Sequence, residues 1–385
     1  MMRHTKRGNL PSMQNPPASI GCPVADIDTP ALIVDLDAFD RNIAKMAAYA
    51  ARVGVGLRAH AKTHKSSDVA RRQMAAGAVG QCVQKVGEAE ILARAGIPDI
   101  LVSNQVVAPP KLDRLAALAR EARIGLCFDD PDQVALASAA AVRAGVEFSA
   151  LVEIDVGMAR CGVPPGSAAA ELGLRIADTP GLRFEGLQAY QGRAQHLPTA
   201  PEREAAIRIA IDAAKATGEA LARVGLTANT VSGAGTGTFR LEAESGVYTE
   251  LQAGSYAFMD GEYAGITDRD GRPYAEFEHS LFVLSGVISV AGGDWFVVDA
   301  GLKSYSGERG PPKVHGGDGW DFLGMSDEHG KIGLSGDSRR PRLGDKVALI
   351  PGHCDPTINL HEWYVGVRDG RVEEIWAIDA RGASR

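Results

Sequence analysis

From about residue 56 to residue 260 the chain alternates short apolar runs with alanine-rich stretches of helical period, and this limits the fold more than any other feature. The expected strands are "GLRAHAK" (56–62), "AVGQCVQ" (78–84), "DILVSN" (99–104), "RIGLCFD" (123–129), "FSALVEID" (148–155), "RFEGLQAY" (183–190), "NTVSGAG" (229–235) and "ELQAGSYAFM" (250–259). Helical segments such as "KVGEAEILARAG" and "PEREAAIRIAIDAAKATGEALARVG" separate them. Near-continuous apolar strands alternating with helices imply a parallel sheet covered on both faces. Eight such units in about 200 residues fit a closed (β/α)8 barrel. An open doubly wound sheet is the runner-up, which periodicity does not separate from the barrel.

After about residue 268 the helical period disappears. "SLFVLSGVISV", "DWFVVDAGL", "DKVALIPG" and "WYVGVRDGRVEEIWAI" read as strands of a mostly β C-terminal domain, the last with an Asp-Gly hairpin turn at 369–370. A strand "ALIVDLD" (31–37) precedes the barrel, is followed by a helix pattern at 38–53, and is expected to join the second domain. The predicted partition is a tail over 1–27, that strand segment over 28–37, the barrel over 38–265 and the β domain over 266–385.

Composition narrows the partners. Net charge is −7 and no long Lys/Arg block occurs, which argues against nucleic acid and anionic membrane. No apolar run approaches the ~20 residues of a membrane helix. "MMRHTKRGNLPSMQNPP" lacks the apolar core of a signal peptide. The cysteines Cys22, Cys82, Cys127, Cys161 and Cys354 are odd in number and form no CxxC pair. A disulfide framework is therefore not expected, and a reducing, cytoplasmic location is.

In a barrel the catalytic groups sit at the C-terminal ends of strands. The first strand ends in "RAHAKTHK", with Lys62 as its last residue and His60 on the same face. A lysine at such a place loses its proton readily and can form an imine with an aldehyde cofactor; the alternative is an ordinary loop lysine. The seventh strand ends in "SGAGTGT". There Gly233, Gly235 and Gly237 leave room for N–H groups to face an anion, and Thr236 adds a hydroxyl. "AGSY" on the eighth strand offers Gly254, Ser255 and Tyr256 as further donors. Each cluster alone is more often only a turn, but with Lys62 the pair points to a phosphate-anchored aldehyde, pyridoxal 5′-phosphate.

"PGHCDPT" follows an apolar strand. If its extended geometry persists, His353 and Asp355 point one way and Cys354 the other. Imidazole with carboxylate suits Mn or Mg, whereas a thiolate selects zinc. Two protein ligands leave positions for water and substrate, so the site would be catalytic.

The segments "DTPALIVDLDAFDRN", "RAHAKTHK", "CVQKVGEAE", "VEIDVGMARCGV", "LQAYQGRAQH", "VSGAGTGT", "ELQAGSYAFMD", "SDEHG" and "PGHCDPT" together resemble the D-threonine aldolase / D-serine dehydratase family, alanine-racemase-like enzymes of pyridoxal phosphate fold-type III. The resemblance runs from about residue 28 to near the end. It implies a barrel followed by a β domain, a homodimer, and retro-aldol cleavage of D-β-hydroxy-α-amino acids to glycine and an aldehyde. It assigns Lys62 as the Schiff-base lysine and Thr236, Gly254 and Ser255, with Gly235 and Gly237, as phosphate contacts. Gln84, Tyr190 and Tyr263 would line the cofactor. Arg160 would sit near its phenolic oxygen, unless it makes a surface ion pair. The metal pair is His353 with Asp355, and His196 is either the base for the substrate hydroxyl or a positioning donor. His60 and His64 are expected as structural neighbours of the cofactor, and Lys65 as a solvated charge.

The dehydratase members resemble a His-x-Cys pair where this chain has His353-x-Asp355, which weighs against a dehydratase. A racemase, needing a second acid/base and no metal, and a non-catalytic cofactor-binding barrel are the remaining rivals. "AYQGRAQH" and "HEWYVGVRDG" look like the 3-hydroxy-D-aspartate aldolases, and "GVYTELQAGSYAFMDG" and "ARGASR" like the D-threonine aldolases. Arg193 either binds a distal carboxylate or faces solvent.

Overall fold

The computed structural model describes residues 15–385. A first strand, β1 (Ala31–Asp35), runs into helix α1 (Leu36–Val53). Asp35 caps that helix by accepting the Ala38 N–H at 3.0 Å, and Gly54 ends it in the left-handed region at φ 74°.

Eight parallel strands follow: β2 (Gly56–His60), β3 (Gly80–Val83), β4 (Asp99–Val102), β5 (Arg123–Phe128), β6 (Phe148–Glu153), β7 (Leu182–Ala189), β8 (Thr230–Gly233) and β9 (Glu250–Leu251). They close into a barrel, with Gly56 and Leu57 of β2 paired to Glu250 and Leu251 of β9. The runner-up open sheet is thereby set aside. Helices fill the crossovers, and their apolar faces pack on the strands, as Leu112, Val134 and Ile176 do with Ile100, Leu126 and Leu187. The eighth strand is shorter than expected. It stops at Leu251, and the expected strand residues Ser255–Ala257 form a 3-10 turn instead. α1 packs against β2 and that turn and covers the barrel there.

The lumen holds a small apolar layer of Cys82, Leu101, Cys127 and Leu151. Toward the N-terminal strand ends a charged plug closes the floor. Arg58 donates to Glu250 at 2.8 Å and to Asp99 at 2.7 Å, and Ser232 also donates to Glu250, at 2.6 Å. Both charges of the Arg58–Glu250 pair are buried, at 7% and 9% side-chain exposure. Removing one member strands the other without water. Arg58→Met should therefore lower the unfolding free energy by about 3–5 kcal/mol in chemical denaturation. A loss below about 1 kcal/mol would show that solvent reaches the floor.

The C-terminal strands are β10 (Leu281–Ser289), β11 (Trp295–Val298), β12 (Lys313–Val314), β13 (Trp320–Met325), β14 (Gly330–Leu334), β15 (Lys346–Ile350), β16 (Trp363–Arg368) and β17 (Arg371–Ala377). With β1 they form one nine-stranded sheet ordered β13-β14-β11-β10-β1-β16-β17, with β15 on β10 and β12 on β15. β1 lies antiparallel to β10 and parallel to β16. The β16–β17 hairpin turns on Asp369 and Gly370, whose φ values of 48° and 73° are those of a type I′ turn. Strands β12, β13 and β14 had no clear pattern: β12 is two residues long, β13 is half-exposed along its length, and β14 is interrupted by Gly330 and Gly333. Among the described residues no helix is long and apolar enough to cross a membrane.

Candidate active site

A cavity of about 410 Å³ opens at the C-terminal ends of the barrel strands, and its wall is completed by the segment after β15. Lys62 enters it from the turn after β2, two residues beyond the strand rather than as its last residue. Its Nζ lies 3.5 Å from Asp355 Oδ2. Burial opposes the lysine's charge, but Asp355 and Tyr190 outweigh it and hold the amine above its usual value. Asp355 answers in kind: burial raises it, yet Lys62 and His353 pull it below the usual carboxylate range.

The two histidines flanking Lys62 are neutral. Burial, with Lys62 beside it, drives His60 well below its ordinary value, and it lines the cavity 3.0 Å from Gln84 Nε2. His64 is pushed down to about 4 by burial. It lies behind the wall, where its carbonyl accepts the Tyr364 hydroxyl at 2.7 Å and so ties the loop to β16. Lys65 is not solvated as expected. Its ammonium meets the buried Glu88 at 2.5 Å, and Glu88 also accepts the Gln84 N–H at 2.9 Å.

At one end of the cavity Gly235, Thr236, Gly254 and Ser255 come together from two loops. Thr236 Oγ1 is buried and has no hydrogen-bond partner among the described residues. A Cβ on Gly254 would fall 2.5 Å from Thr63 Oγ1 and 2.8 Å from the His60 carbonyl, so only glycine lets these loops approach. Two expected donors lie elsewhere. Gly237 gives its N–H to Gln195 Oε1 at 2.9 Å and faces a second cavity of about 470 Å³, lined by paired side chains such as Arg240 and Glu276. Tyr256 is fully buried in the core behind the loop.

Gln84, Arg160, Tyr190 and Tyr263 all reach the cavity. Arg160 lies over the Tyr190 ring at 5.9 Å rather than in a surface ion pair. Burial raises the Tyr190 phenol, with Lys62 and Arg160 opposing.

The far wall carries His196 and the pair His353 and Asp355. His196 ends the 3-10 turn Arg193–His196, and its Nδ1 is 2.8 Å from Glu262 Oε1. Glu262 also faces Arg309 at 3.4 Å; burial raises it, but His196 and Arg309 hold it below its usual range. The extended geometry expected over His353–Asp355 does not persist. His353 is the extended N-cap of a short helix, Cys354–Ile358. Both side chains nevertheless face the cavity, because cap and second helical residue project to one side of the helix entrance. His353 Nε2 and Asp355 Oδ1 are 3.9 Å apart. Cys354 is buried, and its N–H is fixed on Asp260 Oδ2 at 2.9 Å. His353 Nδ1 is held by Glu308 at 2.6 Å, the outer carboxylate that commonly orients a ligating imidazole. Among the described residues no cluster of three or more metal-ligating side chains occurs.

Glu262, Glu308 and Arg309 were not anticipated. Glu262 adjoins Tyr263 in "MDGEYAG", and that adjacency was the available signal. Glu308 and Arg309 sit in the loop "YSGERG", which carries no pattern.

A parallel barrel with a lysine just past its first strand, followed by a mostly antiparallel sheet, defines the alanine-racemase-like class. The family model "Alanine racemase, N-terminal domain" matches residues 34–262, and the model "Putative serine dehydratase domain" matches residues 280–367. The chain belongs, within that class, to the family of D-threonine and 3-hydroxy-D-aspartate aldolases. It is 48% identical to a D-threonine aldolase of Arthrobacter sp. over 96% of this chain and 97% of that one. It is 47% identical to a 3-hydroxy-D-aspartate aldolase of Paracoccus denitrificans, over 95% of each. The crystal structure of D-threonine aldolase from Filomicrobium marinum superposes with a TM-score of 0.93 at 47% identity, covering 97% of this chain and all (100%) of that chain.

Proposed function

We propose that the protein is a pyridoxal 5′-phosphate- and divalent-metal-dependent lyase that splits the Cα–Cβ bond of D-β-hydroxy-α-amino acids into glycine and an aldehyde. The observation that carries this reading is the confrontation, across one cavity, of the Lys62 amine with His353 and Asp355. The names of the two relatives support the choice of reaction and of the D series.

The residues present fit the cofactor. Lys62 would hold its aldehyde carbon. The unpartnered Thr236 hydroxyl, Ser255 and the glycine-lined loops would take its phosphate. Arg160 and Tyr190 would flank the ring. Once bound, the cofactor supplies an electron sink for the charge left on Cα when the bond breaks. The donor set also fits a hard divalent ion such as Mn or Mg, with an imidazole oriented by Glu308 and a carboxylate within reach of the same point. Such an ion would acidify a bound hydroxyl.

The chain's own groups do the rest. Nδ1 of His196 is buried against Glu262 Oε1 at 2.8 Å, an ion-pair contact without hydrogen-bond alignment, which leaves Nε2 as the atom offered to the cavity. There it takes the proton of the substrate's β-hydroxyl. Lys62 is held as an ammonium by Asp355 in the free chain. Engaging that carboxylate elsewhere would free the amine to lose its proton. A homodimer belongs to the same reading and is checked by sedimentation.

A second reading of the substrate rests on Arg193. Its side chain lines the cavity beside His196, a cation where a β-carboxylate would lie. A charged hydrogen bond of this kind contributes about 1.5–3 kcal/mol. Arg193→Ala should therefore lower kcat/KM for 3-hydroxy-D-aspartate by about 10- to 100-fold and leave D-threonine within about threefold. Kinetics on D-threonine, D-phenylserine and both 3-hydroxy-D-aspartates test the proposal as a whole. Glycine from at least one D substrate and none from L-threonine is expected, and absence of glycine from every one of them rejects it.

A further inference from the structure

One buried carboxyl group takes no part in the chemistry above. Glu242 lies on the short helix Phe239–Ala243 directly after the "GAGTGT" loop and is 1% exposed. Three hydrogen bonds connect it to that loop. Thr238 Oγ1 donates to Glu242 Oε1 at 2.8 Å, Gln195 Nε2 donates to Thr238 Oγ1 at 2.7 Å, and Gly237 N donates to Gln195 Oε1 at 2.9 Å. All three side chains are buried. Gln195 immediately precedes His196 in the same 3-10 turn, so the chain of bonds braces the loop against the segment that carries the base.

We propose that Glu242, acting through Thr238 and Gln195, is a proton-dependent positioning residue for the cofactor phosphate: the cradle holds phosphate most tightly while Glu242 is neutral. This rests on the cofactor reading above and adds to it a residue that touches neither cofactor nor substrate.

The physical case is electrostatic. Glu242 Oε2 has no hydrogen-bond partner among the described residues, so an ionised carboxylate there is poorly satisfied. Burial pushes Glu242 up to about 7, and only the Thr238 hydroxyl and its own backbone N–H work the other way. The titratable groups facing it are the phenols of Tyr190, Tyr248 and Tyr274, each raised by burial and uncharged near neutrality. A phosphate ester carries up to two negative charges. Bound at Thr236, two residues before the Thr238 that bonds Glu242, it would disfavour the carboxylate form. By reciprocity, ionising Glu242 weakens phosphate binding by the same factor. Below about pH 6 the group is neutral with or without phosphate, and the coupling vanishes. Above about pH 8 it is ionised in the free chain and must take up a proton or repel the ligand.

The test is equilibrium binding of pyridoxal 5′-phosphate to apoprotein, read from cofactor absorbance at about pH 6 and about pH 8.5, for wild type, Glu242→Gln and Thr238→Val. The ratio of wild-type to Glu242→Gln dissociation constants cancels the pH dependence of Lys62 and of the phosphate itself. It should be near one at the lower pH and rise about tenfold at the higher, the effect of a one-unit shift. Thr238→Val removes the only side-chain donor to the Glu242 carboxylate among the described residues, so its affinity loss should begin at higher pH than in wild type. This holds even if the glutamine variant does not fold. Pyridoxal without the phosphate should show a ratio of one throughout. A ratio that does not change with pH, or changes equally for pyridoxal, overturns the proposal. Failure of wild type to bind pyridoxal 5′-phosphate saturably at either pH overturns the cofactor reading itself.

Discussion

Lys62→Ala should abolish turnover of every D-β-hydroxy amino acid, by roughly 10³-fold or more, and borohydride should no longer fix the cofactor to the chain. The expectation follows from position. On the proposed reading the amine is the nucleophile, in a cavity whose glycine-lined end would put a Cβ at Gly254 only 2.5 Å from Thr63 Oγ1. His60 and His64, the neutral histidines on either side, cannot replace it as a covalent anchor. Lys62→Arg should fail almost as completely, since a guanidinium keeps its proton at any working pH. Trapped cofactor and wild-type rates in Lys62→Ala would place the reactive amine elsewhere.

The second large effect is at the far wall. On the proposed reading His353→Ala and Asp355→Asn should each lower kcat by about 10³-fold and abolish the response to added Mn or Mg, because an ion held by this pair would contribute several kcal/mol. The two variants should differ in one respect. Asp355→Asn also removes the carboxylate that raises Lys62, so its amine should lose its proton at lower pH than in wild type. His353→Ala leaves that partner in place. Metal binding by calorimetry together with a pH titration of cofactor attachment separates the two. Full metal response in both variants would remove the pair from the mechanism.

Much of this was legible in the sequence because it rests on period and on local chemistry. Buried parallel strands are apolar throughout, and eight of them separated by helical stretches suggested a closed barrel. The lysine, the glycine loops and the His-x-Asp pair lie where the chain leaves strands, which is where side chains reach solvent in such a fold. The boundaries were less legible. The eighth strand ends at Leu251 because the chain must bend to bring Gly254 against His60, a tertiary demand that leaves no trace in period. His353 and Asp355 share the cavity through a helix cap rather than an extended strand. The local pattern set His353 and Asp355 on one side, and the structure brings both to the cavity through a turn that the strand pattern could not forecast. Glu308 and Glu262 were hidden for a different cause. Each acts by meeting a residue 45 or 66 positions away along the chain, and carboxylates in glycine-rich loops are ordinarily solvated. Lys65 shows the converse: it reads as a surface charge in "KTHK" and is largely covered because Glu88 meets it from the helix Val86–Arg94, 23 residues on.

The most direct test of the whole account is the fate of D-threonine in the holoenzyme, with glycine, acetaldehyde, 2-oxobutanoate and ammonia quantified before and after chelation. Cleavage at Cα–Cβ with metal assistance predicts equal glycine and acetaldehyde, no 2-oxobutanoate, and loss of both products when the ion is stripped. Accumulation of 2-oxobutanoate with ammonia, or glycine release that persists undiminished in chelator, would contradict it.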